Sequence, residues 1–147
     1  MTEVSFYTGV PERLAYLGRL LRKAYLAGAR VGIVGPQRLL TRLDASLWTL
    51  DPLDFIPHLM LDAPATGERL ALAERTPLLL VEDARWLPHR EMLLNLDSEI
   101  PEAALEFQRV LEVVSTEPEQ VAAGRSRFKH YKSLGCEVKH HVIGAGG

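Results

Sequence analysis

One cysteine, Cys136, stands in 147 residues, so an internal disulfide framework is impossible and a reducing compartment fits. No apolar run approaches the roughly 20 residues that a membrane-crossing helix needs. The opening Met1-Thr2-Glu3 also lacks the basic-then-apolar order of a secretion leader. A cytoplasmic protein without membrane contact is expected. The signatures of nucleotide and acyl chemistry are missing too: the chain has no G-x-G-x-x-G, no Gly-Lys followed by Ser or Thr, and no G-x-S-x-G elbow. The turn Gly32-Ile-Val-Gly35-Pro36-Gln37 occupies a phosphate-loop position, but its proline removes a backbone donor that a phosphate would use. Leu78 to Asp83 has the look of an ATPase strand ending in metal-binding acids, with no lysine loop to accompany it. The histidines, His58, His89, His130, His140 and His141, follow no metal-ligand spacing, and Cys136 beside His140 and His141 reads as a C-terminal strand rather than a zinc site. The expectation is a protein with no catalytic group, no metal and no cofactor.

What is present is an ordinary globular composition, 47% hydrophobic and 24% charged, enough for one core and one domain spanning 1–147. Short apolar runs alternate with amphipathic segments. Val4 to Tyr7, Arg30 to Val34, Leu78 to Val81, Met92 to Leu96 and Arg109 to Val114 read as strands. Pro11 to Ala27, with Gly28 at its end, and Pro36 to Leu47 read as helices, and Glu102 to Phe107 as a short one. Asp62 to Glu68 reads as a flexible loop and the closing Gly-Ala-Gly-Gly as a loose tail. The pattern predicts an α/β fold: a three-layer α/β/α sandwich, Rossmann-like, around a mostly parallel open sheet.

The formal net charge is -2, which as a bulk property repels nucleic acid, yet Gln120 to Cys136 holds four Lys or Arg and no acid. A helix is predicted here, opened by a capping box from Thr116 to Glu119 and closed by Lys132 and Gly135. On it Arg125, Lys129 and Lys132 form one stripe with Phe128 beside it. Val121, Gly124, Phe128 and Tyr131 lie at helical spacing on the adjoining face, so either ring fits packing as well as binding. An arginine fork beside a ring suits an acidic peptide end at least as well as a nucleic-acid backbone. A solvated helix face is the plain alternative.

Aromatic residues make up 7% of the chain, so a second cluster of rings is informative: Leu47-Trp48 through Phe55-Ile56-Pro57-His58, a loop that also holds Pro52. These rings either plug the sheet edge or stay out as an apolar patch for a protein partner.

In their order and spacing, Phe6-Tyr7, Gly28-x-x-Val31, Leu43-Asp44-x-x-Leu47-Trp48, Phe55-x-Pro57-His58, Leu94-Asn95-Leu96 with Pro101 beyond, and Arg125-x-Arg127-Phe128-Lys129-x-Tyr131-x-x-x-Gly135 resemble the chi subunit family of bacterial DNA polymerase III. The resemblance runs along nearly the whole chain. It implies a small, non-catalytic accessory protein of the polymerase holoenzyme that acts in DNA replication. Such a protein binds the acidic C-terminal tail of single-stranded DNA-binding protein, links it to the clamp loader through the psi subunit, and touches DNA only indirectly. It implies tail contacts at Val114, Arg125, Phe128 and Lys129, with Tyr131 and Lys132 as neighbours. Arg125 would hold the terminal carboxylate, and Phe128 and Val114 would wall a pocket for the tail's last phenyl ring. Phe128 stands where the family often has tyrosine. The psi contact falls on Trp48, Phe55 and Pro57, a surface that another partner, such as a helicase-like repair protein, fits as well. Two other readings stay open: a direct nucleic-acid binder using the same basic helix, and a degenerate nucleotide enzyme of the same fold.

Overall fold

Four-residue apolar runs become strands buried on both faces, and the amphipathic segments between them become the helices that cover them. The structure, a computed structural model, describes residues 2–49 and 55–143. The middle of the ring-rich loop, with Pro52, and the Gly-Ala-Gly-Gly tail lie outside the described residues. In chain order the elements are β1 (Glu3–Val10), α1 (Arg13–Leu26), β2 (Val31–Val34), α2 (Gln37–Thr49), β3 (His58–Leu61), α3 (Gly67–Arg75), β4 (Leu78–Val81), β5 (Met92–Asn95), β6 (Arg109–Ser115), α4 (Pro118–Ser133) and β7 (Glu137–Val142). Short 3-10 turns at Ala84–Trp86 and Glu102–Glu106 flank β5.

The strands form one sheet in the order β3-β4-β2-β5-β6-β1-β7. Every pairing is parallel, a stricter arrangement than the mostly parallel sheet expected. Because side chains alternate across a strand, each strand feeds two cores. Leu17 and Leu21 of α1 and Leu40, Leu43 and Leu47 of α2 cover Ile33, Leu80, Leu94 and Val113. On the other face Ala73 of α3, Tyr131 of α4 and Phe107 cover Phe6, Leu79, Leu93 and Val114. The α/β/α sandwich is therefore present, with α1 and α2 in one layer and α3 and α4 in the other.

Several details differ from the sequence expectation. Asp62 to Glu68 is not all loop: α3 starts at Gly67, whose φ of 57° few other residues adopt. This helix has nine residues and one fully buried position, Ala73, too thin a stripe to stand out by periodicity. Strand β3 also went unassigned. Gly32, inside the apparent phosphate turn, serves packing: a Cβ there would overlap the Leu87 side chain. Asp83, the apparent metal acid, accepts the Arg85 backbone N–H at 2.9 Å and pairs with the Arg85 guanidinium.

His89 is buried against Phe107, with Nδ1 accepting the Glu91 N–H at 3.2 Å and Nε2 without a partner. Burial, reinforced by Arg30 and Arg90, holds its pKa down to about 4. An unfolded histidine takes up a proton near 6.5, so between those values the unfolded chain binds more protons and stability falls as pH falls. Denaturant titrations should show a loss of roughly 2 kcal/mol between about pH 6.5 and 4. His89→Asn, which keeps an acceptor for the Glu91 amide, should flatten that decline.

Candidate functional site

The basic helix forms where expected but opens differently. Pro118 occupies its first turn, where a missing donor costs nothing, and forces Glu117 into extended backbone (φ -65°, ψ 134°) as the N-cap. Thr116 is thereby displaced from the cap, and no capping box forms. Instead the Ser115 hydroxyl accepts the Glu117 N–H at 3.3 Å. The far end matches expectation: Gly135 (φ 85°) reverses the chain, and its N–H donates to Lys132 O at 3.0 Å.

Helix α4 is locked to the sheet by a buried polar cluster that sequence reasoning missed. Glu112 of β6 has no exposed surface. Its carboxylate accepts Arg127 Nε at 3.0 Å, Asn95 Nδ2 at 2.8 Å and the Tyr131 hydroxyl at 2.7 Å. Arg127 further donates to Ser98 O at 2.9 Å. Burial pushes the Glu112 carboxyl above its usual range, against the opposing pull of Arg127, Asn95 and Tyr131. Burial, with Glu112 beside it, also raises Tyr131. Arg127, which lies off the stripe of Arg125, Lys129 and Lys132, is thus the interior cation. Tyr131, expected beside the site, is a core residue whose hydroxyl is already used. The placement of Tyr131 corrects the sequence expectation, and both placements follow from an acid in a strand that otherwise reads as apolar.

With Arg127 committed inward, Arg125 and Lys129, two positions to either side, face out. They stand at the rim of a cavity of about 390 Å³ between α4 and the β6, β1 and β7 strands. Its apolar lining comes from Phe6, Val114, Val121, Phe128 and Val142, and its polar lining from Thr8, Arg125, Lys129 and His140. Gly124 allows this geometry, since a Cβ there would meet Val114 Cγ2 at 2.9 Å. The half-buried Phe128 ring packs edge-on to Phe6 (5.2 Å) and His140 (6.0 Å). Lys132 lies outside the lining, with Nζ 5.2 Å from the Phe128 ring centre. Among the described residues no carboxylate pairs with Arg125, Lys129 or Lys132. Of the six residues expected here, the structure gathers Val114, Arg125, Phe128 and Lys129 around one hollow.

The strand residues of the cavity carry no local signal, because β7 pairs with β1 across more than 130 positions. Successive residues of β7 point to opposite faces: His140 Nε2 lies 2.7 Å from Thr8 Oγ1, whereas His141 stacks on Tyr7. The two histidines therefore do not converge. Among the described residues no cluster of three or more His, Cys, Asp or Glu is placed to hold a metal ion.

At the other end of the sheet Ile56 is buried and acts as the plug, while Trp48 (57% exposed) and Phe55 (62% exposed) stay out with ring centres 5.3 Å apart. Pro57 is half-buried. His58 supports the edge of Trp48 at 4.8 Å, with Nδ1 2.7 Å from Ile56 O and Nε2 3.0 Å from Asp44 Oδ1, off the line of a hydrogen bond. A smaller hollow of about 200 Å³ lies beyond the carboxyl ends of β2 and β4, where this fold class binds nucleotides. Glu82, Asp97 and Glu102 border it together with the Asp83–Arg85 ion pair, a net negative charge that opposes a polyphosphate.

Arg127→Ala should cost about 3 to 5 kcal/mol in urea unfolding, because it strands a buried carboxylate. The double change Glu112→Gln with Arg127→Met should cost less than the single one. Equal or additive losses would show that the two groups are not coupled.

The family model described as DNA polymerase III chi subunit, HolC, matches residues 1–139. DNA polymerase III subunit chi of Pseudomonas aeruginosa PAO1 is 31% identical over 149 residues, covering 97% of this chain and 98% of that protein. The Haemophilus influenzae protein of the same name is 28% identical over 103 residues, covering 69% and 67%. Among solved structures, the C-terminal domain of S. cerevisiae Dbp5 superposes with a TM-score of 0.61 at 12% identity, covering 95% of this chain and 90% of that one. Domain 2 of the DEAD-box helicase Mss116p gives 0.56 at 12%, covering 96% and 64%. The last two likenesses speak to the parallel α/β fold alone. The first three speak to descent, and by them the chain belongs to the DNA polymerase III chi subunit family.

Proposed function

We propose that this chi-family accessory subunit is a non-catalytic adaptor that captures the acidic C-terminal tail of single-stranded DNA-binding protein in the α4 cavity. One observation carries the reading: Arg125 and Lys129, cations with no ion-pair partner among the described residues, flank an apolar hollow lined by Val114 and Phe128. A nucleic-acid backbone would use the cations and leave the hollow empty. A chain end with a terminal carboxylate and an apolar last residue uses both. Phe128 walls the pocket without the hydroxyl that a tyrosine would add, so apolar contact and charge supply the affinity.

The exposed Trp48 and Phe55 pair supports a second attachment, to the psi subunit of the clamp loader or to a protein taking its place. Aromatic pairs of this kind make strong anchors once covered, and half-buried Pro57 stiffens the chain beside them.

A peptide ending in Asp-Ile-Pro-Phe should bind with a micromolar Kd, since one charge-assisted clamp and one small pocket supply about 7 to 8 kcal/mol. By calorimetry, Arg125→Ala should cost about 1.5 to 3 kcal/mol and Phe128→Ala a similar amount. The exposed neighbour Ser126→Ala should change nothing. Removing the peptide's last residue should abolish measurable binding, and an unchanged affinity for the shortened peptide would defeat the pocket assignment. The double variant Trp48→Ala with Phe55→Ala should keep full peptide affinity while losing at least about 2 kcal/mol toward the clamp-loader partner.

A further inference from the structure

The net charge of -2 conceals a strong segregation. Residues 11–49 hold seven Lys or Arg against two Asp or Glu, whereas the rest of the chain holds ten against seventeen. That basic segment is α1, β2 and α2, and both helices lie in one layer on the face of the sheet away from α4.

The helical phase decides where the charges go. On α1, with Leu17 and Leu21 buried, the opposite ridge carries Arg19, Lys23 and Leu26, edged by the half-buried Tyr16, whose ring lies 6.2 Å from that of Tyr7. Arg19 and Lys23 are exposed, Leu26 is 64% exposed, and the Arg19 guanidinium sits 5.9 Å from the Tyr16 ring centre. On α2, with Leu40, Leu43 and Leu47 buried, the solvent ridge carries Arg38 and Arg42, both exposed. Among the described residues none of Arg19, Lys23, Arg38 or Arg42 has an ion-pair partner. Of the two acids of the segment, Glu12 is exposed at the N-cap position of α1 without a side-chain cap, and Asp44 faces His58.

Within each helix the exposed cations stand one turn apart, about 6 Å along the axis. Neighbouring packed helices lie about 8–10 Å apart. The result is a flat field of cations with a leucine set among those on α1 and a tyrosine at their edge. We infer that the α1–α2 face binds the sugar–phosphate backbone of single-stranded nucleic acid. The cations take phosphates, and the apolar members of the α1 ridge lie against unstacked bases. A flat face has no projecting element to enter a duplex groove, which favours the single strand. The surface is separate from the α4 cavity, so it stands or falls independently of the tail-binding reading.

Fluorescence anisotropy with a labelled oligo(dT) and the full-length protein tests this. Binding should be detectable near 20 mM salt, and log K should fall with log salt at a slope of about -3, as expected for four phosphates on a single strand. Lys23→Glu with Arg42→Glu should lower affinity at least tenfold and make the slope shallower by more than one. Arg125→Glu with Lys129→Glu, on the other face, should change it less than about threefold. Circular dichroism checks that each variant is folded. Absence of oligo(dT) binding at low salt would overturn the inference. So would equal losses from the two double variants, equal binding of poly-glutamate, or tighter binding of a duplex of the same length.

Discussion

The carboxylate of Glu112 fixes the rotation of α4 about its own axis, and the site depends on that rotation. The helix carries few large apolar residues, so hydrophobic burial alone specifies its facing weakly. Three basic residues stand at 125, 127 and 129, and a rotation of a residue or two would exchange the ones that face in and out. A buried acid settles the matter. It accepts only a donor set that reaches it, and Arg127 with Tyr131 one turn later forms that set. Taking these charges out of water is costly, and the pair with its extra hydrogen bonds offsets much of that cost without making the interaction a large net stabiliser. Its contribution is registry: with Arg127 held inward, Arg125 and Lys129 project over the cavity.

Close approach completes the arrangement. Gly124 lets α4 press on Val114, and the Phe6 ring sits edge-on to both Phe128 and Tyr131. The hollow is therefore walled by one helix and three strands rather than by mobile loops, and little conformational entropy is lost when it is filled. Its floor needs β7, the last strand, to return beside β1, the first. A ligand in the hollow consequently touches both ends of the chain, His140 and Val142 as well as Phe6 and Thr8.

This dependence on distant residues explains what could be read from the sequence and what could not. The parallel sheet was legible because Val31 to Val34 and Leu78 to Val81 are apolar throughout, a pattern demanded by burial on both faces. The cation stripe was legible because helical spacing is local. The inward turn of Arg127 was not, since its cause lies at Glu112, fifteen positions earlier and on another element. Tyr131 was misplaced for the same reason. Pro118 was overlooked beside a plausible Thr116 and Glu119 pair, although the proline's fixed φ decides where the helix begins. Helix α3 and strand β3 were missed because each is short and weakly patterned. The exposure of Trp48 and Phe55 had no local signature either: Ile56, lying between Phe55 and Pro57, took the buried place that the rings were equally suited to fill.

The sheet order gives the adaptor reading a geometric consequence. Trp48 and Phe55 lie by β3, one edge strand, and the α4 cavity lies by β7, the other. Six inter-strand steps of about 4.8 Å separate those edges, roughly 29 Å across a sheet of continuous hydrogen bonds. Partners held at the two sites would not overlap, and a rigid parallel sheet offers no evident second packing through which one could alter the affinity of the other. Simultaneous, nearly independent occupancy is what a physical link between two assemblies requires. A linked pair of weak contacts then gains strength from effective concentration rather than from tighter individual sites. Micromolar affinity for a tail is sufficient under that arrangement, and it leaves each contact able to release quickly.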